Sequence, residues 1–111
     1  MAETLWLSTP PKMHALTAGA AVSIDPTISV NFLLSPNEDE AINATSPGYP
    51  GQNLVLIVQT INGTSRTLTF GATMKTTATL VTGATTARFF VLAFVSTGTV
   101  WIEQSRTAAQ V

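Results

Sequence analysis

The sequence predicts an all-β domain, and three observations carry the prediction. Thr is abundant and, together with Val and Ile, fits a pleated, half-buried surface better than a helix. Short apolar stretches recur at fairly even spacing, broken by Gly, Pro, Asn and Asp, a rhythm that argues a sandwich or barrel. No segment longer than a turn or two repeats its apolar residues at helical spacing, and no internal repeat at solenoid spacing is visible.

The chain has 111 residues, enough for one domain and one core. Folding at this length hides roughly 65% of the surface of the unfolded chain. Charged residues make up 10% and hydrophobic residues 45%, against about 25% charged in an ordinary domain, so much of the surface must be neutral Thr, Ser, Asn and Gln. Five basic and six acidic residues leave a formal charge of −1. That gives no cationic field for a polyphosphate or an anionic membrane, so neither nucleic acid nor membrane is an expected partner. The absence of cysteine excludes disulfides and thiolate chemistry. The start lacks a basic region followed by a long apolar run, and no apolar run reaches spanning length; the expectation is a soluble chain made in the cytoplasm.

Residues 1–16 form a preface, an N-terminal arm or an edge strand. Leu5 and Leu7 share one strand face and Trp6 takes the other, while Pro10-Pro11 imposes a stiff, extended segment. Residues 17–104 are the β domain. Ala20 to Ile24 runs into the Asp25-Pro26 turn, and Ile28 to Leu34 alternates as a half-exposed strand. Ser35 to Gln52 is the longest polar segment, a loop holding three consecutive carboxylates and three prolines, with a brief strand at Ala41 to Ala44. Leu54 to Val58 is apolar at both parities and belongs in the middle of a sheet. Asn62-Gly63 turns the chain into Arg66 to Phe70, with Leu68 and Phe70 inward. Strands around Met74 and Thr77 to Leu80 follow, then a turn at Gly83. Residues 105–111 carry no pattern and read as a loose tail.

The stretch around which the rest is organised is Ala87 to Gln104, a hairpin about Thr97-Gly98. Its first arm, Phe89 to Val95, has no polar residue at either parity, so both faces must be covered. One face fills the domain's core. The other, either Phe90, Leu92 and Phe94 or Phe89, Val91, Ala93 and Val95, needs a neighbouring layer or subunit. Arg88 stands at its start, placed to pair with a neighbour's carboxylate.

Candidate chemistry is thin. His14 is the only histidine, which rules out a histidine metal cluster and leaves a nucleophile relay little to work with. Glu38, Asp39 and Glu40 are consecutive, so their side chains splay, and they read as a solvated loop rather than a cation site or a glycosidase pair. Trp6, Tyr49 and Trp101 are candidate sugar-stacking platforms, but Trp101 in the patterned hairpin reads as packing. No catalytic residue, metal or cofactor is expected.

From Gly51 onward the chain resembles a β module of tailed-bacteriophage virion proteins, found in capsid decoration (cement) proteins and in tail-fibre or spike domains. The resemblance is carried by Gly51-Gln52 with Leu54, Leu56 and Val58; by Gly63 with Arg66 to Gly71; by Leu80 with Gly83; and by Val91-Leu92, Phe94-Val95, Gly98, Trp101 and Glu103. Thr17 to Asp25 and Phe32 to Leu34 look like its opening strands. Such modules are similar to jelly-roll sandwiches that assemble as trimers without enzymatic activity.

The resemblance implies an antiparallel β-sandwich of jelly-roll type, assembled as a homotrimer. It implies a decoration protein on the exterior of the virion capsid that binds the assembled head and stabilises joints between major capsid proteins. A short chain standing alone favours cement over the alternative, a receptor-binding or structural domain of a tail fibre or spike. On this reading Leu5, Trp6, Leu7, Pro10 and Pro11 are the capsid-binding arm. Phe90, Leu92 and Phe94 with Arg88, or the opposite parity of that strand, form the subunit interface.

Overall fold

The computed structural model describes residues 12–110. Ten strands follow in order: β1 Met13–Ala15, β2 Ala21–Ile24, β3 Asn31–Leu34, β4 Glu40–Ala44, β5 Asn53–Gln59, β6 Thr67–Phe70, β7 Met74–Lys75, β8 Leu80–Val81, β9 Phe89–Ser96 and β10 Trp101–Arg106. Among the described residues there is no helix, and hence none long and apolar enough to cross a membrane.

The strands make two sheets. One has six strands in the order β1-β3-β5-β9-β10-β7, and the other has four in the order β2-β4-β6-β8. One core lies between them. Val22, Ile24, Ile42, Leu68 and Leu80 enter it from the four-stranded sheet, and Phe32, Leu34, Leu54, Leu56, Val58, Leu92, Phe94 and Trp101 from the six-stranded one. Alternation explains the selection, since every second residue of each strand points the same way and the apolar set is buried.

The expected antiparallel jelly-roll does not match the ladders. The β1–β3, β3–β5, β2–β4, β4–β6 and β10–β7 pairs are parallel, and only β5–β9, β9–β10 and β6–β8 are antiparallel. From β1 to β6 the chain alternates between the sheets, so each turn lays a strand beside the one two before it, as in a β-solenoid. The Asn62-Gly63 turn is therefore a crossing between layers and not a hairpin. The coil has no fixed sequence period. Met13 pairs with Asn31 and Asn31 with Val55, whereas Ala21 pairs with Ala41 and Ala41 with Thr69, so each turn is longer than the one before.

Two segments without pattern in the sequence are held by specific bonds. The loop at residues 45–52 is pinned to the β9–β10 hairpin. The Trp101 indole N–H donates to Ser46 O at 2.8 Å, the Ser96 hydroxyl donates to Pro47 O, and the Tyr49 N–H donates to Gln52 Oε1. Gly48 turns there with φ of 67°, and a Cβ at that position would stand 2.9 Å from Cζ2 of Trp101. Residues 105–110, expected as a loose tail, are tied down as well. Ser105 and Arg106 continue β10 past a bulge, Thr107 N donates to Val91 O, and Gln110 bridges Phe89 in both directions.

Candidate functional site

The outer surface of the six-stranded sheet follows directly from the registers. Leu33, Ile57 and Val91 lie level across β3, β5 and β9; Val55 and Ala93 form the next row; Val95 and Ile102 the one beyond. All point away from the core, because their neighbours in sequence fill it. The positions that complete this surface on β3, β5 and β9 are Asn31, Asn53, Gln59 and Phe89. The outward positions of these three strands thus carry no charged side chain. Phe89 is 37% exposed and Ile102 41%, and Val55, Ile57, Val91, Ala93 and Val95 are half-buried.

With strands about 4.8 Å apart and a rise of about 3.3 Å per residue, four strands and about five residues project to roughly 300 Å². A continuous apolar patch of that size, rimmed by amides and, beside Ile102, by Lys75, is within the range where patches on monomers are often functional.

The interface residues expected from the sequence need correction. Phe90, Leu92 and Phe94 are 5%, 0% and 0% exposed and pack inside this chain's own core. The outward set is the opposite parity, Phe89, Val91, Ala93 and Val95. Side-chain volume was the available signal, since Phe, Leu and Phe gain more by leaving water than Val, Ala and Val. Arg88 sits half-buried where β9 begins, its backbone N–H donating to Thr60 Oγ1 at 2.8 Å. The proposed arm, Leu5, Trp6, Leu7, Pro10 and Pro11, lies outside the described residues.

The remaining polar candidates are engaged in structure. His14 is exposed and meets the Phe32 ring edge-on, 5.9 Å between centroids. The acidic loop is not simply solvated. Asp39 Oδ1 accepts the Thr67 N–H at 2.9 Å, and Glu40 opens β4 with its side chain turned inward, where Oε2 accepts the Gly19 N–H at 3.0 Å. Burial holds the Glu40 carboxyl above its ordinary pKa of 4.5. A shallow groove of about 310 Å³ runs beside it, lined by Ala20, Asp39, Glu40, Ala41, Thr67 and Thr69.

On β10 Glu103 pairs with Arg106, Nε to Oε2 at 2.6 Å. Burial pushes the Glu103 carboxyl up, but the hydrogen bonds from Arg106 and Thr77 outweigh it and hold the pKa below the usual value. Trp101 is 0% exposed, so it offers no platform to a sugar; Tyr49 remains exposed. Among the described residues no three His, Asp or Glu side chains are grouped to hold a metal ion.

The arrangement can therefore bury surface against another molecule. No family model, curated protein or solved structure matches this chain.

Proposed function

We propose that this chain is a structural component of a bacteriophage virion, a capsid decoration protein that binds the outer surface of the assembled head and stabilises joints between major capsid proteins. The observation that carries the reading is the apolar outer face of the six-stranded sheet, free of charged side chains on β3, β5 and β9, joined to the resemblance of residues 51–103 to virion β modules. Copies meet through this face as a homotrimer, and residues 5–11 carry the contact with the shell protein. Exposed apolar rows without charge suit contact with protein and not with a polyanion.

Magnitude shapes the mechanism. A face of roughly 300 Å² is well under the roughly 800 Å² per partner of a stable interface. Copies therefore hold one another weakly when free, and a repeated lattice that seats them side by side strengthens their contact through high effective concentration. Because such a site exists only on the finished lattice, decoration follows assembly and adds its binding free energy to the assembled state.

The second reading, a tail-fibre or spike domain, has one observation in its favour: parallel turns such as β1 to β6 stack along an axis and can be extended by adding turns. Electron microscopy of intact particles separates the two. Density on the outer head lattice, at joints between shell subunits, is the expected result. Density at the tail end would transfer the protein to the second reading, and absence from the particle would overturn both.

A further inference from the structure

Asn62 holds its side chain folded back along the crossing from β5 to β6. Its Oδ1 accepts the Thr64 N–H at 3.1 Å, an Asx turn that keeps the carboxamide beside its own main chain. The peptide nitrogen between the two partners belongs to Gly63, which is exposed and whose N–H makes no hydrogen bond among the described residues. A Cβ built on Gly63 would have Ala84 O, at 3.6 Å, as its one near neighbour beyond the adjoining residues, so this peptide has room to turn. The Thr64 N–H also polarises the carboxamide carbonyl and is placed to receive the negative charge that builds on Oδ1 when a nucleophile adds to Cγ.

The other asparagines lack this combination. Asn31, Asn43 and Asn53 lie in β3, β4 and β5, and the residues that follow them, Phe32, Ala44 and Leu54, are fixed in the same strands. In β4 the Ala44 N–H is engaged as well, donating to Thr73 Oγ1 at 3.0 Å. Asn37 is exposed in a loop, but the nitrogen after it belongs to Glu38, whose side chain crowds it and whose negative charge opposes loss of its proton.

We propose that Asn62-Gly63 is a self-modification site, at which Gly63 N closes on Asn62 Cγ, expels ammonia and leaves a succinimide ring that water opens to aspartate or isoaspartate. In the first step the bond from Gly63 N to Cγ forms, the Cγ–Nδ2 bond breaks, and the proton lost by Gly63 N departs on the leaving ammonia. Water then adds to one of the two ring carbonyls. Cleavage of the nitrogen from Cγ restores the original main chain with an aspartate side chain. Cleavage from the Asn62 carbonyl carbon routes the main chain through Cβ and Cγ, as isoaspartate. Nothing is oxidised or reduced, and water is the one co-reactant. Either product adds a negative charge to a chain of formal charge −1. Isoaspartate also inserts a carbon into the main chain ahead of Arg66, whose N–H and C=O both bond to Thr82. Charge at this crossing therefore records the age of the molecule, whatever the chain assembles with.

Ageing the intact chain in mildly alkaline buffer tests the proposal, read by mass spectrometry of the tryptic peptide from Met13 to Arg66, which contains every asparagine. Fragmentation should place the exchange of amide for hydroxyl at Asn62 ahead of Asn37, and should show isoaspartate together with aspartate. The rate should rise with pH, because the attacking nitrogen must lose its proton. Gly63→Ala should slow conversion roughly tenfold, about 1.4 kcal/mol on the barrier, since the added methyl fits the turn but crowds the attacking nitrogen. If that variant melts differently from the parent, the products of the unaltered chain decide, because isoaspartate forms only through the ring. Conversion that begins at Asn37 overturns the proposal. So does aspartate without isoaspartate at Asn62, an Asn62 that stays an amide throughout, or a Gly63→Ala chain that converts as fast as the parent.

Discussion

Ile57 of β5 and Val91 of β9 stand opposite each other in the antiparallel ladder, with both side chains on the outer surface of the six-stranded sheet. Leu33 extends the row on β3. Directly behind it, Leu56 pairs with Leu92 and Val58 with Phe90, all facing the core. One pair of strands therefore serves two apolar surfaces, and only the inner one is closed by this chain's own second sheet.

A charge in the middle of that outer surface should block association and spare the fold. Ile57→Lys or Val91→Lys leaves every core contact in place, so its cost to stability should stay near 1 kcal/mol or less. Association should fall sharply, because burying an unpaired ammonium costs several kcal/mol. Light scattering coupled to gel filtration reads the first effect and thermal melting the second.

Substitution on the inner parity should do the reverse. Phe94→Ala removes a fully buried ring that meets Phe70 at 6.0 Å between centroids. The expected loss is about 3–5 kcal/mol, a large share of the roughly 5–15 kcal/mol that holds a domain folded. A denaturant titration should show a lower midpoint with little change in slope; a shift as small as that of Val91→Lys would contradict the assignment of faces.

The corner formed by Ser46, Gly48 and Trp101 should be sensitive to small changes. Gly48→Ala forces a side chain into the left-handed region at about 1–2 kcal/mol and drives its Cβ into the Trp101 ring and the Gln52 carboxamide. Trp101→Phe leaves the Ser46 carbonyl without its donor, at about 1–3 kcal/mol. Both variants should melt lower than the parent chain.

Stability should pass through a maximum in mild acid. The Glu40 pKa is raised in the folded state, so folding binds a proton there and stability increases as pH falls toward 4.5. Glu103 is lowered, so its contribution is complete above 4.5 and is lost as pH falls further. Glu40→Gln should flatten the limb above 4.5, and Glu103→Gln the limb below it. Melting temperatures across the acid range check both.

Strand positions were legible because they depend on alternation, which the sequence displays directly. Ala20 to Ile24, Leu54 to Val58, Arg66 to Phe70 and the hairpin about Gly98 all match observed elements to within a residue or so. Strand direction was not legible, since a period of two records which face a residue takes and nothing about its neighbour. The parallel coil did leave one trace, the proline that follows Ile24 and Ala44 where the chain crosses back to the six-stranded sheet from β2 to β3 and from β4 to β5. The inward turn of Glu40 was hidden by its place at the end of three consecutive carboxylates, although Glu40, Ile42 and Ala44 share a parity. The outward rows of the candidate site were visible only as an unresolved choice between two sets of side chains, which relative bulk could have decided.

Sedimentation velocity of the unaltered chain across a wide concentration range tests the central claim, that the outer face of the six-stranded sheet is a contact surface between copies. The account predicts a species of three times the chain mass that grows in with concentration and disappears in Val91→Lys. A chain that stays monomeric at every concentration, or an assembly indifferent to Val91→Lys, would contradict it.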